Sequence, residues 1–195
     1  MPIHHDAQHW CELVAARTPI NERERESIEK FLSLAPVLTD PFNEHADLVH
    51  ITASAIVVSD AGDKVALHMH KRLNMWLQPG GHIEVGETAA QGALREAEEE
   101  IGLPVRHESD GGVFVHVDVH AGPKGHTHLD VRYVVRAPDL APAPAEGESQ
   151  LVRWFSWAEA EAMHTTSAFT PTSRPWMRTV GWPEASEAPR VPGAW

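Results

Sequence analysis

The chain has 195 residues, a formal net charge of −12 and a single cysteine, Cys11. That length suits one catalytic domain with an extension and is short for two large domains. The acidic balance argues against wrapping a nucleic-acid polymer, which needs clustered Lys and Arg, and one thiol excludes both an intrachain disulfide and a thiol-rich metal site. No apolar run approaches a membrane span, and the N-terminal MPIHHDAQHW lacks the basic and apolar regions of a signal peptide. A cytoplasmic protein without membrane contact is the expectation.

In chain order, residues 5–16 read as a first helix with Trp10, Leu13 and Val14 at apolar spacing, and Glu22 to Leu34 as a second that buries Ile28, Phe31 and Leu32. These helices form an N-terminal extension over residues 1–46. They could pad a sheet, build a homodimer contact or cover an active site.

After a loop from Thr39 to His45, His50 to Ser59 is rich in Ile, Val, Thr and Ala, as suits a strand buried on both faces. Asp60 to Lys64 is a turn. Val65 to His70 returns as a second strand, with His68 and His70 on one face and Leu67 and Met69 on the other. Arg72 and Trp76 then admit two readings: contacts to substrate phosphates or a base, or a polar loop beside a core tryptophan.

The stretch from Gly80 to Leu103 opens with glycines, which allow backbone to approach a ligand closely, and continues as a helix. Thr88 and Gln91 have the spacing of a capping box, and Gly102 suits the residue after the helix end. At 3.6 residues per turn, Glu96, Glu99 and Glu100 fall within an arc of about 100°, while Ala90, Ala93, Leu94, Ala97 and Ile101 gather on another side. Gly92, four residues before Glu96, lies on the acidic side and leaves a gap where a side chain would crowd a ligand. Carboxylates at this end oppose the helix dipole and repel one another. Such an arrangement suits holding a hard divalent cation, which takes carboxylate oxygens and leaves positions for water or phosphate oxygens.

These residues resemble the signature of the Nudix hydrolases, Gx5Ex7REUxEExGU, with U a bulky aliphatic residue. Gly81, Glu87, Arg95, Glu96, Glu99, Glu100, Gly102 and Leu103 fill the fixed positions, preceded by Trp76, Leu77, Pro79 and Gly80. Ala97 is smaller than the usual aliphatic residue, and His82 stands where many members have glycine or lysine. The resemblance covers about Ile51 to Met163 and implies an α/β/α sandwich around a mixed sheet. It also implies hydrolysis of a diphosphate bond in a nucleoside diphosphate linked to another moiety, with Mg²⁺ or Mn²⁺. On that reading Glu96, Glu99, Glu100 and Gly80 hold metal, and Arg95 and Glu87 order the carboxylates. Substrate contacts fall to Arg72, Trp76, Gly81, His82 and Arg132. The rivals are a binding or regulatory module that has lost catalysis, and isomerisation of a diphosphate-bearing lipid precursor, which Cys11 alone does not support.

Beyond the helix, Gly112 to His120 alternates as a strand with His116, Asp118 and His120 on one side. Thr127 to Arg136 follows as another, with His126, His128, Asp130 and Arg132 on a common face. This His/Asp row lacks the paired or helical spacing of zinc ligands and is placed along a substrate cavity or on the surface. Ala137 to Ala145 reads as an extended Ala/Pro linker that delivers Glu146 and Glu148, either of which could add a carboxylate to the site. Leu151 to Trp157 is a closing strand, and Ser156 with Glu159 caps a short helix, which ends the main domain at residues 47–164. The remainder, 165–195, is a Pro- and Trp-containing tail expected to pack on the domain or a partner subunit.

Overall fold

The computed structural model describes residues 7–163. Two helices, α1 (Ala7–Ala15) and α2 (Glu22–Leu34), come first, followed by strands β1 (Val49–Ser59), β2 (Lys64–His70), β3 (Met75–Leu77) and β4 (Gly80–His82). Next are α3 (Ala89–Ile101), β5 (Val113–Ala121), β6 (Thr127–Ala137), β7 (Val152–Ser156) and α4 (Trp157–Ala162). The strands form one mixed sheet in the order β3-β2-β1-β6-β5, with β4 also on β1 and β7 also on β2. Among the described residues only β1 and β6 run parallel; the other pairings are antiparallel.

Strand β1 lies at the centre because nearly every one of its side chains is apolar or small enough to bury. Ala53, Ala55 and Val57 pack with Ala89, Ala93 and Ala97 of α3, while Ile56 and Val58 join Phe155, Trp157 and Ala160 at α4. The sheet therefore lies between α3 and α4, in the layered α/β arrangement expected of it. Gly80 and Gly81 are paired strand residues opposite Ser54 and Ala53 rather than the free loop expected.

The N-terminal helices occupy the outer edge of β5. Glu24, fully buried, accepts from the Val117 amide at 3.1 Å, and the Ser27 hydroxyl accepts from the Val119 amide at 3.1 Å. Arg17 donates to the Phe114 carbonyl at 3.4 Å and to the Val115 carbonyl, and its Nε reaches Glu24 at 3.0 Å. Side chains thus take the place of a neighbouring strand and satisfy edge groups that would otherwise invite pairing with another chain. Ser27→Ala is expected to lower stability by about 1–2 kcal/mol, because the Val119 amide loses its acceptor. Urea denaturation that gives no change would mean that water replaces the hydroxyl.

The tail from 164 onward, including its boundary and its packing, lies outside the described residues.

Candidate active site

Helix α3 has both ends specified locally. Thr88 Oγ1 accepts from the Gln91 amide at 3.2 Å, Gln91 Oε1 accepts from the Thr88 amide at 2.8 Å, and Gly102 closes the helix at φ 70°. The alanines at 89, 90, 93 and 97 are buried, so the helix lies close on β1 and turns its glutamate side outward.

Strand β4 meets that side. The Gly80 amide donates to Glu100 Oε2 at 2.8 Å. A Cβ on Gly81 would stand 2.5 Å from Glu96 Oε1, so any larger residue would displace the carboxylate from this backbone. Arg95 binds Glu87 through Nε at 2.9 Å and Nη2 at 3.1 Å, and reaches Glu96 at 2.9 Å and Glu99 at 3.3 Å. It also donates to the His82 carbonyl at 2.8 Å. One planar guanidinium thereby fixes β4, the loop carrying Glu87 and two of the helix glutamates in one geometry.

The charge in this cluster is not balanced. Burial, reinforced by the charges of Glu96, Glu148 and Glu99, pushes the Glu100 carboxyl up to about 8 against the opposing Gly80 hydrogen bond. Burial raises Glu96 as well, with Glu99 and Glu148 adding to the effect and Arg95 opposing it. Glu87 goes the other way: burial raises it, but its hydrogen bonds from Arg95 and the Glu84 amide leave it below the usual range. His68 Nδ1 lies 3.4 Å from Glu100 Oε1, yet burial lowers that imidazole to about 4, so it is neutral at pH 7 and offsets nothing. The donor set is all oxygen and carries excess negative charge, which is the chemistry a hard divalent cation requires.

Of the loop carboxylates, Glu148 is half-buried and acts electrostatically on both Glu96 and Glu100, whereas Glu146 is exposed. The loop is docked on the helix end, with the Ala145 amide donating to the Glu99 carbonyl at 2.9 Å. A cavity of about 1150 Å³ opens beside Glu96 and Arg95, lined also by Gly81, His82, Phe42 and Glu44. Phe42, Glu44 and His68 escape the sequence reading. The first two sit in a segment with no periodicity, and His68 has its face read correctly but not the helix that covers it.

Several expected contacts lie elsewhere. Arg132 is buried; its Nε bonds Asp130 at 2.9 Å and its Nη2 bonds Asp118 at 2.8 Å, so its charge is committed inside the sheet and is not offered to a phosphate. Ser54 and Thr52 also donate to Asp130, at 2.8 and 3.3 Å. Trp76 packs edge-on against Phe155 at 4.9 Å in the second core cluster, the core alternative of its two readings. Arg72 sits in the exposed β2–β3 turn, where the neighbouring Lys71 donates to the Gly147 carbonyl of the Glu148 loop, and its guanidinium remains open to a phosphate. The space above Gly92 is filled by Ile83 and Glu87, so that glycine serves packing of the loop on the helix, not room for a ligand. His82 lines the cavity, and its ring lies 5.0 Å from that of His50 and 5.6 Å from that of His128. Burial lowers all three imidazoles, His128 to about 3.

Comparison with known proteins gives a consistent result. The model of the NUDIX domain matches residues 49–179. The phosphatase NudJ of Escherichia coli (strain K12) is 24% identical over 111 residues, 56% of this chain and 70% of that protein. The m7GpppN-mRNA hydrolase NUDT17 of Xenopus laevis is 37% identical over 60 residues, 28% of this chain and only 20% of the length of that protein. A NUDIX-family hydrolase from Clostridium perfringens superposes with a TM-score of 0.54 at 28% identity, covering 64% of this chain and 94% of that one.

Proposed function

The chain belongs to the Nudix family, whose relatives mark it as a diphosphate-bond hydrolase, and from that premise we propose that its substrate is a nucleoside diphosphate linked to a second moiety. We assign Mg²⁺ or Mn²⁺ to Glu96, Glu99 and Glu100, with the Gly80 backbone beside them and Glu148 as the further carboxylate. The observation that supports this most is the convergence of Glu96 and Glu100 on a glycine pair, with Arg95 the cation that bonds Glu96 and Glu99 among the described residues.

Attack of water on a diphosphate is slowed by repulsion from the phosphate oxygens and by the need for an in-line approach. A bound divalent ion supplies charge neutralisation and a more acidic water. The protein does the rest. Arg95 holds Glu96 and Glu99 in place, Gly80 orients Glu100 through its amide, and Gly81 lets the Glu96 carboxylate lie against β4. Glu148, on the loop docked at the helix end, acts electrostatically on Glu96 and Glu100, and we assign it as the proton acceptor. The adjoining cavity takes the nucleoside. Among the described residues no helix is long and apolar enough to cross a membrane, in keeping with a small diffusible substrate.

A panel of nucleoside triphosphates, nucleotide sugars, ADP-ribose, dinucleoside polyphosphates and capped RNA ends with Mg²⁺ or Mn²⁺ tests the reading. Nucleotide release from at least one, abolished by chelation, is the expected result; cleavage of none defeats it.

The raised carboxyls also predict a pH dependence. A group with a folded pKa above its unfolded value is more protonated in the folded state, so its stabilising effect is complete below the unfolded pKa and is lost as pH rises through the folded one. Here the unfolded value is about 4.5 and the Glu100 value about 8. Chelated protein should therefore lose Tm from pH 5 to 9, Mg²⁺ should restore more at pH 8.5 than at pH 5.5, and Glu100→Gln should flatten the slope. A slope unchanged by that substitution would remove Glu100 as its source.

A further inference from the structure

On the sheet face away from α3, three adjacent strands each contribute one histidine to a single spot. His50 of β1 is opposite His128 of β6 in the parallel ladder, and His82 of β4 is opposite Thr52, two residues along β1 from His50 and on the same face. One ring nitrogen from each lies within 4.8 Å of the other two. We infer that His50, His82 and His128 form a second metal site, separate from the glutamate cluster, that takes a borderline-soft divalent ion such as Zn²⁺.

His50 carries the argument. It is fully buried, and neither Nδ1 nor Nε2 has a partner at ordinary hydrogen-bond geometry, the Asp47 backbone offering the ring a weak one; His82 Nε2 and His128 Nε2 are likewise buried without a partner at that geometry. A buried polar atom without a partner costs about 1–3 kcal/mol, so several together at one point need a reason. A metal ion supplies it, since imidazole nitrogens are the usual ligands for zinc and poor ones for Mg²⁺. Zinc bonds of about 2.0–2.1 Å need nitrogens about 3.3–3.5 Å apart, so the three rings have to close by up to about 1.4 Å.

The surroundings complete the case. Glu44 Oε2 lies 3.6 Å from His82 Nε2 and is the nearest carboxylate for orienting that ring or filling a fourth position. The His126 ring stands 5.1 Å from His50. A Cβ on Gly122 would overlap the His128 ring, so glycine there lets the β5–β6 connection pass close over the site. His82 directly follows Gly81, and β4 is only three residues long. An ion here ties β4 to β1 and β6 from behind, and so braces the glycines that face Glu96 and Glu100.

The test uses the full chain, purified without a histidine tag, stripped of metal, then equilibrated with Zn²⁺ under excess Mg²⁺. Elemental analysis should find about one zinc per chain after dialysis, and Co²⁺ in its place should give the visible bands of a four-coordinate nitrogen-rich site. Competition with a chromophoric chelator should show Zn²⁺ binding weakened at least about 100-fold in His50→Ala and in His128→Gln. Glu96→Gln and Glu100→Gln should stay within about twofold of the unsubstituted chain. Less than about a tenth of a zinc per chain, or loss in the glutamate variants equal to that in the histidine variants, overturns the assignment and leaves water as the partner of these nitrogens. Should His50→Ala fail to fold by circular dichroism, the Tm of the unsubstituted chain at saturating Mg²⁺ decides: a rise with Zn²⁺ supports the site, and no rise overturns it.

Discussion

Glu100→Gln is expected to lower kcat by about three orders of magnitude while the protein stays folded. Glutamine keeps the shape and an oxygen to accept from the Gly80 amide, so β4 remains seated on the helix. What disappears is the negative charge, which burial and three neighbouring glutamates already disfavour. The substitution therefore removes repulsion and should leave Tm in chelator unchanged or higher, while the rise in Tm with Mg²⁺ shrinks. Loss of activity and relief of strain in opposite directions identify a residue kept for its chemistry. Turnover within tenfold of the unsubstituted enzyme at saturating Mg²⁺ would dismiss Glu100 from the metal set.

The largest effect on stability should come from Gly102→Ala, about 2–5 kcal/mol. Gly102 has φ 70°, a conformation that costs a residue with a Cβ about 1–2 kcal/mol. The greater difficulty is that the added carbon would overlap the Ala143 carbonyl and the Pro144 nitrogen, main-chain atoms with no rotamer to escape into. The loop from Ala143 to Glu148 has to move, and the Ala145 bond to the Glu99 carbonyl goes with it. Activity should therefore fall along with stability, since Glu148 travels on that loop. Asn tolerates this φ but still carries a Cβ, so Gly102→Asn should be nearly as damaging in urea denaturation. A fully stable Asn variant would show that backbone conformation, not the docked loop, sets the requirement.

What could be read from the residues in order was what depends on near neighbours. The bounds of α2, the Thr88–Gln91 cap, the left-handed Gly102, the glutamate side of α3, the Ser156–Glu159 cap and the alternation of β5 and β6 all arise within one helical turn or one strand, where spacing dictates geometry. Tertiary structure alone decided what each exposed side chain would meet. Arg132 has the same alternation whether it faces a phosphate or Asp118 and Asp130; only the pairing of β5 with β6 buries it. Glu24 reads as one more charge on an amphipathic helix, and becomes an acceptor for a strand edge because α2 lies along β5. Residues 50, 82 and 128 share no spacing rule, and they meet because β1 has β4 on one side and β6 on the other. Local rules act over a few residues, whereas the Glu24 contact and the meeting of residues 50, 82 and 128 span 32 positions or more, where only the closing of the sheet brings the chain back on itself.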